Sequence, residues 1–200
     1  MRRICFKTAA CKMFIVLEGL DGCGKTSQAK DIRQWLIQKG YDVHLTGEPS
    51  NNKIGLFLRE LLTGVREVQP PTLALLFTAD RYWHLDEEIK PALDEGKIVL
   101  MERYVNSTIA YQAAQGVEAE WIRELNKNIL KPDLTLFLDI KPEKAVKRAD
   151  SGEIFENREF QDKVYEQYMK LDDMLRIDAN KTQMDVLYAI KNAIGDRLQR

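Results

Sequence analysis

Eight consecutive residues combine three glycines with a lysine and a hydroxyl: Gly19-Leu20-Asp21-Gly22-Cys23-Gly24-Lys25-Thr26. The spacing is glycine, four residues, then Gly-Lys-Thr. Glycines let backbone N–H groups turn inward and approach an oxyanion where a side chain would collide. Such a loop cradles the phosphates of a nucleoside triphosphate, with Lys25 reaching the β- and γ-phosphates and the Thr26 hydroxyl on Mg²⁺. The pattern alone does not say what is done with the nucleotide. A switch that hydrolyses GTP carries Asn-Lys-x-Asp to read guanine and Asp-x-x-Gly after a strand. Here Asn180-Lys181-Thr182-Gln183 lacks the aspartate, and the run ending at Met101 leads into Glu102-Arg103-Tyr104. Phosphoryl transfer fits better.

Those residues need a frame. From Met13 onward, short apolar runs alternate with turns and amphipathic stretches. Phe14 to Leu17 reads as a strand directly before the loop, and a helix is expected from about Lys25 to Lys39. Gly40 ends it by supplying the left-handed conformation that a C-terminal cap often needs. Tyr41 to Thr46 alternates like a strand, and Ile54 to Leu62 spaces its apolar residues like a short helix. A long helical region runs from Pro71 toward Glu95, with a bend or break expected at Pro91. Ile98 to Met101 and Leu134 to Leu138 are strands of the buried type. Val186, Ile190, Ala193, Ile194 and Arg197 fall on one helical stripe that Leu198 extends. Strands separated by helices imply an α/β fold with a parallel sheet covered on both faces. Ligands then sit beyond the carboxyl ends of the strands, where Arg103 emerges. Its plain alternative is an ion pair with a neighbouring carboxylate. The segment from Arg148 to Gln161 is poorly hydrophobic and lies between two helical stretches, so it reads as a mobile cover.

Composition narrows the classes. Two hundred residues, 44% hydrophobic and 30% charged, suit one globular domain rather than a disordered or fibrous chain. Thirty Lys+Arg against 31 Asp+Glu leave a net charge of -1, so no global field favours nucleic acid or an anionic membrane. The longest apolar runs fall far below a membrane span. Cys5, Cys11 and Cys23 cannot all pair within one chain and match no zinc spacing, which points to a reduced, cytoplasmic setting. Met1 to Lys12 is basic, without an acidic residue or a continuous apolar stretch. It reads as a loose N-terminal extension (1–12) before a single domain over 13–200, or as lying upstream of a translation start at Met13.

Four segments together resemble one family. Glu18 to Gln28, EGLDGCGKTSQ, resembles the opening of thymidylate kinases. Leu75-Leu76-Phe77-Thr78-Ala79-Asp80-Arg81 resembles their LLF-x-A-D/N-R segment. Glu102-Arg103-Tyr104 followed by Ser107 and Ala110-Tyr111-Gln112 resembles Asp-Arg-Tyr…Ser…Ala-Tyr-Gln. Pro132-Asp133, a strand ending in Leu138-Asp139, then Pro142-Glu143 and Arg148, resembles the entry to the family's lid. The resemblance runs in order from Met13 to the C-terminus. It implies a P-loop NTPase three-layer fold with a short lid over about 148–161. It also implies transfer of the ATP γ-phosphoryl group to dTMP, giving dTDP and ADP in dTTP synthesis. Mg²⁺ as cofactor and a cytoplasmic homodimer come with it.

The resemblance also implies roles. Gly19 to Thr26 would bind ATP, with Arg148 near adenine. Lys25, Arg103, Asp21 and Arg158 would be catalytic, and Thr26 with Glu102 would serve the metal. Phe77, which beside Leu75 and Leu76 reads on its own as core, would stack on thymine. Arg81, one helical turn on, reads on its own as a solvated charge and by resemblance reaches the base O4. Arg103 would hold the acceptor monophosphate with its fork. Ser107, Tyr111 and Gln112 would line the nucleoside pocket beside Glu48 and Arg59, with Gln112 on the polar edge of thymine and a tyrosine crowding a ribose 2′-hydroxyl. Asp21, otherwise a loop-capping carboxylate, would contact the acceptor's 3′-hydroxyl.

Three positions depart from the family pattern. Glu102 stands where aspartate is usual. Cys23 stands where one branch has arginine, so the lid is expected to supply the transition-state cation from Lys144, Lys147, Arg148 and Arg158. Arg158 is the expected one, with a solvated lid charge as its alternative. Gly47 stands where many relatives read Thr-Arg-Glu-Pro, leaving Arg59 or Lys53 to compensate. Another nucleoside monophosphate kinase, using UMP, CMP or a broad deoxynucleotide set, remains the alternative, since Phe77, Arg81 and Gln112 do not exclude uracil. A nucleotide-binding switch or ATPase lies further away.

Overall fold

Strand β1 (Met13–Glu18) is buried along its whole length and forms the middle of a parallel sheet. The computed structural model describes residues 11–148, 155 and 157–199. Among these, β2 (Val43–Gly47) and β3 (Ile98–Glu102) lie on one side of β1, and β4 (Leu134–Asp139) and β5 (Leu175–Asp178) on the other, in the order β2-β3-β1-β4-β5. This is the three-layer α/β arrangement of P-loop NTPases. Leu17 pairs with Glu102 of β3 and with Leu136 of β4, so the carboxyl ends of three strands meet where the phosphate loop leaves β1.

Alternation along β1 feeds both faces. Ile15 and Leu17 pack with Ile32 and Leu36 of helix α1 (Lys25–Gln38) and with Ile190 and Ile194 of the last helix. Phe14 and Val16 point the other way, into a smaller cluster with Leu85, Ile89 and Leu93.

The helical run after β2 breaks differently from expectation. Following α2 (Lys53–Leu62), helix α3 (Pro70–His84) passes into a π-helical turn, Leu85–Ile89, and then α4 (Lys90–Asp94). The Lys90 N–H reaches back to the Leu85 carbonyl, a five-residue step. Proline cannot donate to the ladder and its ring crowds the carbonyl four residues back; the wider turn just before Pro91 accommodates both problems without a sharp break.

Beyond β3 come α5 (Val105–Ala114) and α6 (Ala119–Leu125), then α7 (Pro142–Val146) after β4. Helix α8 (Arg158–Met169) and α9 (Gln183–Leu198) flank β5. The lid expected over 148–161 is therefore helical from Arg158 onward, and residues 149–154 and 156 lie outside the described residues, as does 1–10 of the expected extension. Strand β2 starts at Val43 rather than Tyr41: Lys39 and Gly40 form the turn after α1, and the Tyr41 N–H still reaches back to the Leu36 carbonyl at 3.1 Å.

Candidate active site

A cavity of about 920 Å³ opens at the carboxyl ends of the central strands. Asp21 to Thr26 line it, together with Glu48, Arg59, Phe77, Arg81, Glu102, Arg103, Ser107, Tyr111, Gln112 and Arg148. Gly19, Leu20 and Arg158 are absent from the lining. Leu20 is fully buried in the core, and Gly19 forms the back of the loop. Its φ is 146°, and a Cβ there would sit 2.7 Å from the Cys23 sulfur and 3.1 Å from the Leu138 carbonyl, so only glycine fits. The Lys25 Nζ curls into the loop and donates to the carbonyls of Gly19 at 3.0 Å and Leu20 at 2.8 Å. The two expected metal residues meet: the Thr26 hydroxyl donates to Glu102 Oε2 at 2.7 Å.

Gly47 lies directly across from Glu102 in the β2–β3 register. A Cβ at 47 would approach the Glu102 carbonyl to 3.0 Å and its Cβ to 3.2 Å, while that carbonyl accepts the Glu48 N–H at 3.0 Å. Close approach to β3, not an unusual backbone angle, is what a side chain at this position would have to accommodate. Of the two cations considered as compensation, Arg59 lines the cavity and Lys53 does not. Arg59 binds the carbonyl of Ser50 at 2.6 Å and that of Pro49, clamping the turn after β2. Gly47→Ala is expected to overpack this junction and destabilise the fold by about 1 kcal/mol, read as a lower urea midpoint. An unchanged midpoint would mean that β2 yields freely.

Arg103 follows β3 with φ 66°, the one non-glycine residue with positive φ among the described residues. That conformation costs about 1–2 kcal/mol for a residue with a Cβ. Its guanidinium pairs with Asp21, donates to the Ser107 hydroxyl at 3.2 Å, and lies over the Tyr111 ring. Asp21 also accepts from the Tyr111 hydroxyl at 2.7 Å and from Gln161 Nε2 at 3.2 Å. Burial would raise its carboxyl, but the charges of Arg103 and Lys25 and these hydrogen bonds hold it below its ordinary value. Burial works most strongly against the Arg103 charge, but the Asp21 carboxylate together with Tyr111 and Tyr168 outweighs it, so that guanidinium binds its proton more tightly than usual.

Arg81 is not a solvated charge. It is 1% exposed, donating to Glu48 at 2.6 Å, Asn126 Oδ1 at 2.8 Å and Thr108 at 2.8 Å, with its guanidinium over the Tyr104 ring. Helix α3 packs against α5 and α6, which bring acceptors that no reading of α3 alone could supply. Phe77 is half-buried on the same helix. Four buried polar atoms on lining residues lack a hydrogen-bond partner: Gln28 Oε1, Glu48 Oε1, Arg81 Nε and Gln112 Oε1.

Arg158, the expected lid cation, lies outside the cavity lining and is paired within its own helix. It opens α8, its Nε donates to both Asp162 carboxylate oxygens at 2.9 Å, and Glu143 lies 3.6 Å away. The pairing follows from helical spacing, with Asp162 one turn on. Arg148, by contrast, is exposed and lines the cavity. Sequence reasoning missed three contributors. Phe155 reaches the cavity and packs edge-on to Tyr111 and stacked on Phe160. Gln161 reaches Asp21. Glu18, fully buried, gathers the hydroxyls of Ser107 and Tyr168. Burial raises the Glu18 carboxyl, and these hydrogen bonds with the Arg103 charge work against that rise. The Asn157 side chain caps α8 through the Phe160 N–H at 2.8 Å, a cue in the sequence that places Gln161 on a helix.

A family profile described as thymidylate kinase matches residues 17–190. The chain belongs to the thymidylate kinase family. Every residue lining the cavity falls within the matched span. A probable thymidylate kinase of Methanosphaera stadtmanae is 40% identical over 189 residues, covering 91% of this chain and 97% of that protein. One of Thermococcus kodakarensis is 42% identical, covering 81% and 85%. One of Staphylothermus marinus is 43% identical, covering 88% and 90%. Thymidylate kinases are nucleotide-binding transferases, ATP-dependent nucleoside monophosphate kinases. Among the described residues no helix is long and apolar enough to cross a membrane, and Cys11 and Cys23 are free thiols.

Proposed function

We propose that this thymidylate kinase transfers the γ-phosphoryl group of ATP to dTMP, with the phosphate loop holding ATP and the Phe77–Arg81–Gln112 side of the cavity holding the thymidine. The supporting observation is one cavity that joins a phosphate loop to an aromatic ring and to buried polar atoms without hydrogen-bond partners on Glu48, Arg81 and Gln112. A flat base fits between them: Phe77 supplies a stacking face, Arg81 a donor for O4 and Gln112 an amide for the polar edge. A neighbouring Tyr111 ring crowds the sugar, and Asp21 accepts from its 3′-hydroxyl.

Phosphoryl transfer asks for positioning and charge neutralisation more than for a strong base, because the acceptor phosphate is already ionised. Lys25 faces the donor phosphates and Arg103 the acceptor phosphate. The lid excludes water, with Phe155 over Tyr111 and Arg148 on the nucleotide side. Mg²⁺ fits the Thr26–Glu102 pair, two hard oxygens 2.7 Å apart beside the loop. Among the described residues no cluster of three or more His, Cys, Asp or Glu is placed to hold a metal ion. When bound, Mg²⁺ neutralises charge on the β- and γ-phosphates.

The chain acts as one kinase domain over 13–200, with 1–12 as an extension and a lid over about 148–161. A homodimer accords with exposed Leu56 and Phe57 on α2 and Leu75 on α3, and its mass in solution tests it; the cytoplasmic setting rests on the family resemblance.

An assay across dTMP, dUMP, UMP, CMP, AMP and GMP with ATP and Mg²⁺, identifying products directly, tests the reaction. Strong dTDP formation with little from UMP or CMP is expected, whereas ADP release independent of acceptor would overturn the proposal. Phe77→Ala should raise the half-saturating dTMP concentration about tenfold, given the worth of an aromatic stack plus its buried area. ATP saturation should stay unchanged, and an equal rise for both substrates would make Phe77 a packing residue.

A further inference from the structure

Glu18 closes β1 and is fully buried, one residue before the phosphate loop starts. A buried carboxylate persists only where donors surround it. Its Oε1 accepts the backbone N–H groups of Tyr104 at 2.9 Å and Ser107 at 3.2 Å, and its Oε2 accepts the hydroxyls of Ser107 and Tyr168. Tyr104 is the N-cap residue of α5 and Ser107 its third residue, and Tyr104 makes no capping hydrogen bond with its own side chain. In a capping box two side chains of one helix satisfy those two N–H groups. Here a single carboxylate from a neighbouring strand satisfies both.

The segment so capped follows directly on Arg103, whose left-handed backbone needs support from its surroundings. The Arg103 N–H donates to the Leu17 carbonyl at 2.9 Å, and the next N–H, that of Tyr104, donates to Glu18. Consecutive residues of β1 therefore pin the turn on both sides of Arg103. Tyr168 brings α8, the helix after the lid, onto the same carboxylate.

We propose that Glu18 is a positioning residue, which caps α5 from β1 and thereby holds the left-handed turn that aims Arg103 at Asp21 and the acceptor phosphate. The role rests on Arg103 contacting that phosphate. It gives the buried glutamate a task in acceptor binding without contact with either substrate.

Calorimetric titration with dTMP in the absence of ATP tests it on Glu18→Gln, Glu18→Asp and Arg103→Ala, and on each Glu18 variant combined with Arg103→Ala. The amide puts donors among donors, and the aspartate withdraws the carboxylate by one methylene, so two different perturbations probe one position. Each Glu18 variant should weaken dTMP binding about tenfold in the parent chain and by less than about twofold once Arg103 is alanine, since coupled residues are non-additive. ATP affinity, measured separately, should stay within about twofold of the parent. An equal dTMP loss with and without Arg103, or a matching loss for ATP, would overturn the role and leave Glu18 as general support of the fold. If Arg103→Ala alone leaves dTMP binding unchanged, the contact of Arg103 with the acceptor fails first and this role fails with it.

Discussion

Lys25→Ala should lower dTDP formation about a thousandfold at saturating substrates, the scale of losing one preorganised charge at a developing anion. The ammonium is already inside the loop, bonded to the Gly19 and Leu20 carbonyls. A phosphate oxygen is a charged acceptor and outcompetes those neutral carbonyls, so ATP needs only a short swing of the side chain. Alanine removes the charge but leaves the loop backbone, whose shape depends on Gly19 and the Cys23 N–H bond to the Leu20 carbonyl. The thermal midpoint should accordingly move little. Single-turnover product formation, read beside a melting curve, checks both halves. Turnover within tenfold of the parent would remove Lys25 from the chemistry.

Arg103→Ala should weaken dTMP binding by about 2–3 kcal/mol, roughly 30- to 150-fold. Two effects add. The acceptor phosphate loses a charged fork, and Asp21 is left without the guanidinium that holds its carboxyl low. The stranded aspartate then repels the incoming phosphate. Removing that charge as well, in Asp21→Asn combined with Arg103→Ala, should recover part of the dTMP affinity while costing the 3′-hydroxyl contact. A double variant weaker than Arg103→Ala alone would mean that repulsion by Asp21 is a minor part of the loss.

Much of the site was legible because its signals are local. Gly19 to Thr26 needs no partner to be recognised, and β1, β3 and β4 are central strands whose two buried faces leave continuous apolar runs. Strand β5 was not: at the edge of the sheet only Ile177 of Leu175–Asp178 is buried, so no run marks it. The π-helical turn before Pro91 was equally hidden, since a proline announces a disturbance but not its form.

The sequence by itself determined the α/β frame, the phosphate loop and the segments that carry Phe77, Arg81, Arg103 and Tyr111. Those depend on residues close together in the chain, where spacing and side-chain type decide the conformation. Tertiary structure alone decided that Gly47 makes room beside Glu102, that Arg81 is buried against Glu48, Thr108 and Asn126, and that Glu18 joins Tyr104, Ser107 and Tyr168. It also turned Arg158 toward Asp162 and brought Arg148 to the cavity. These partners lie tens of residues apart or depend on where a helix begins. Strand register and helix packing bring them together, and neither is encoded by the residues on one side of the contact alone.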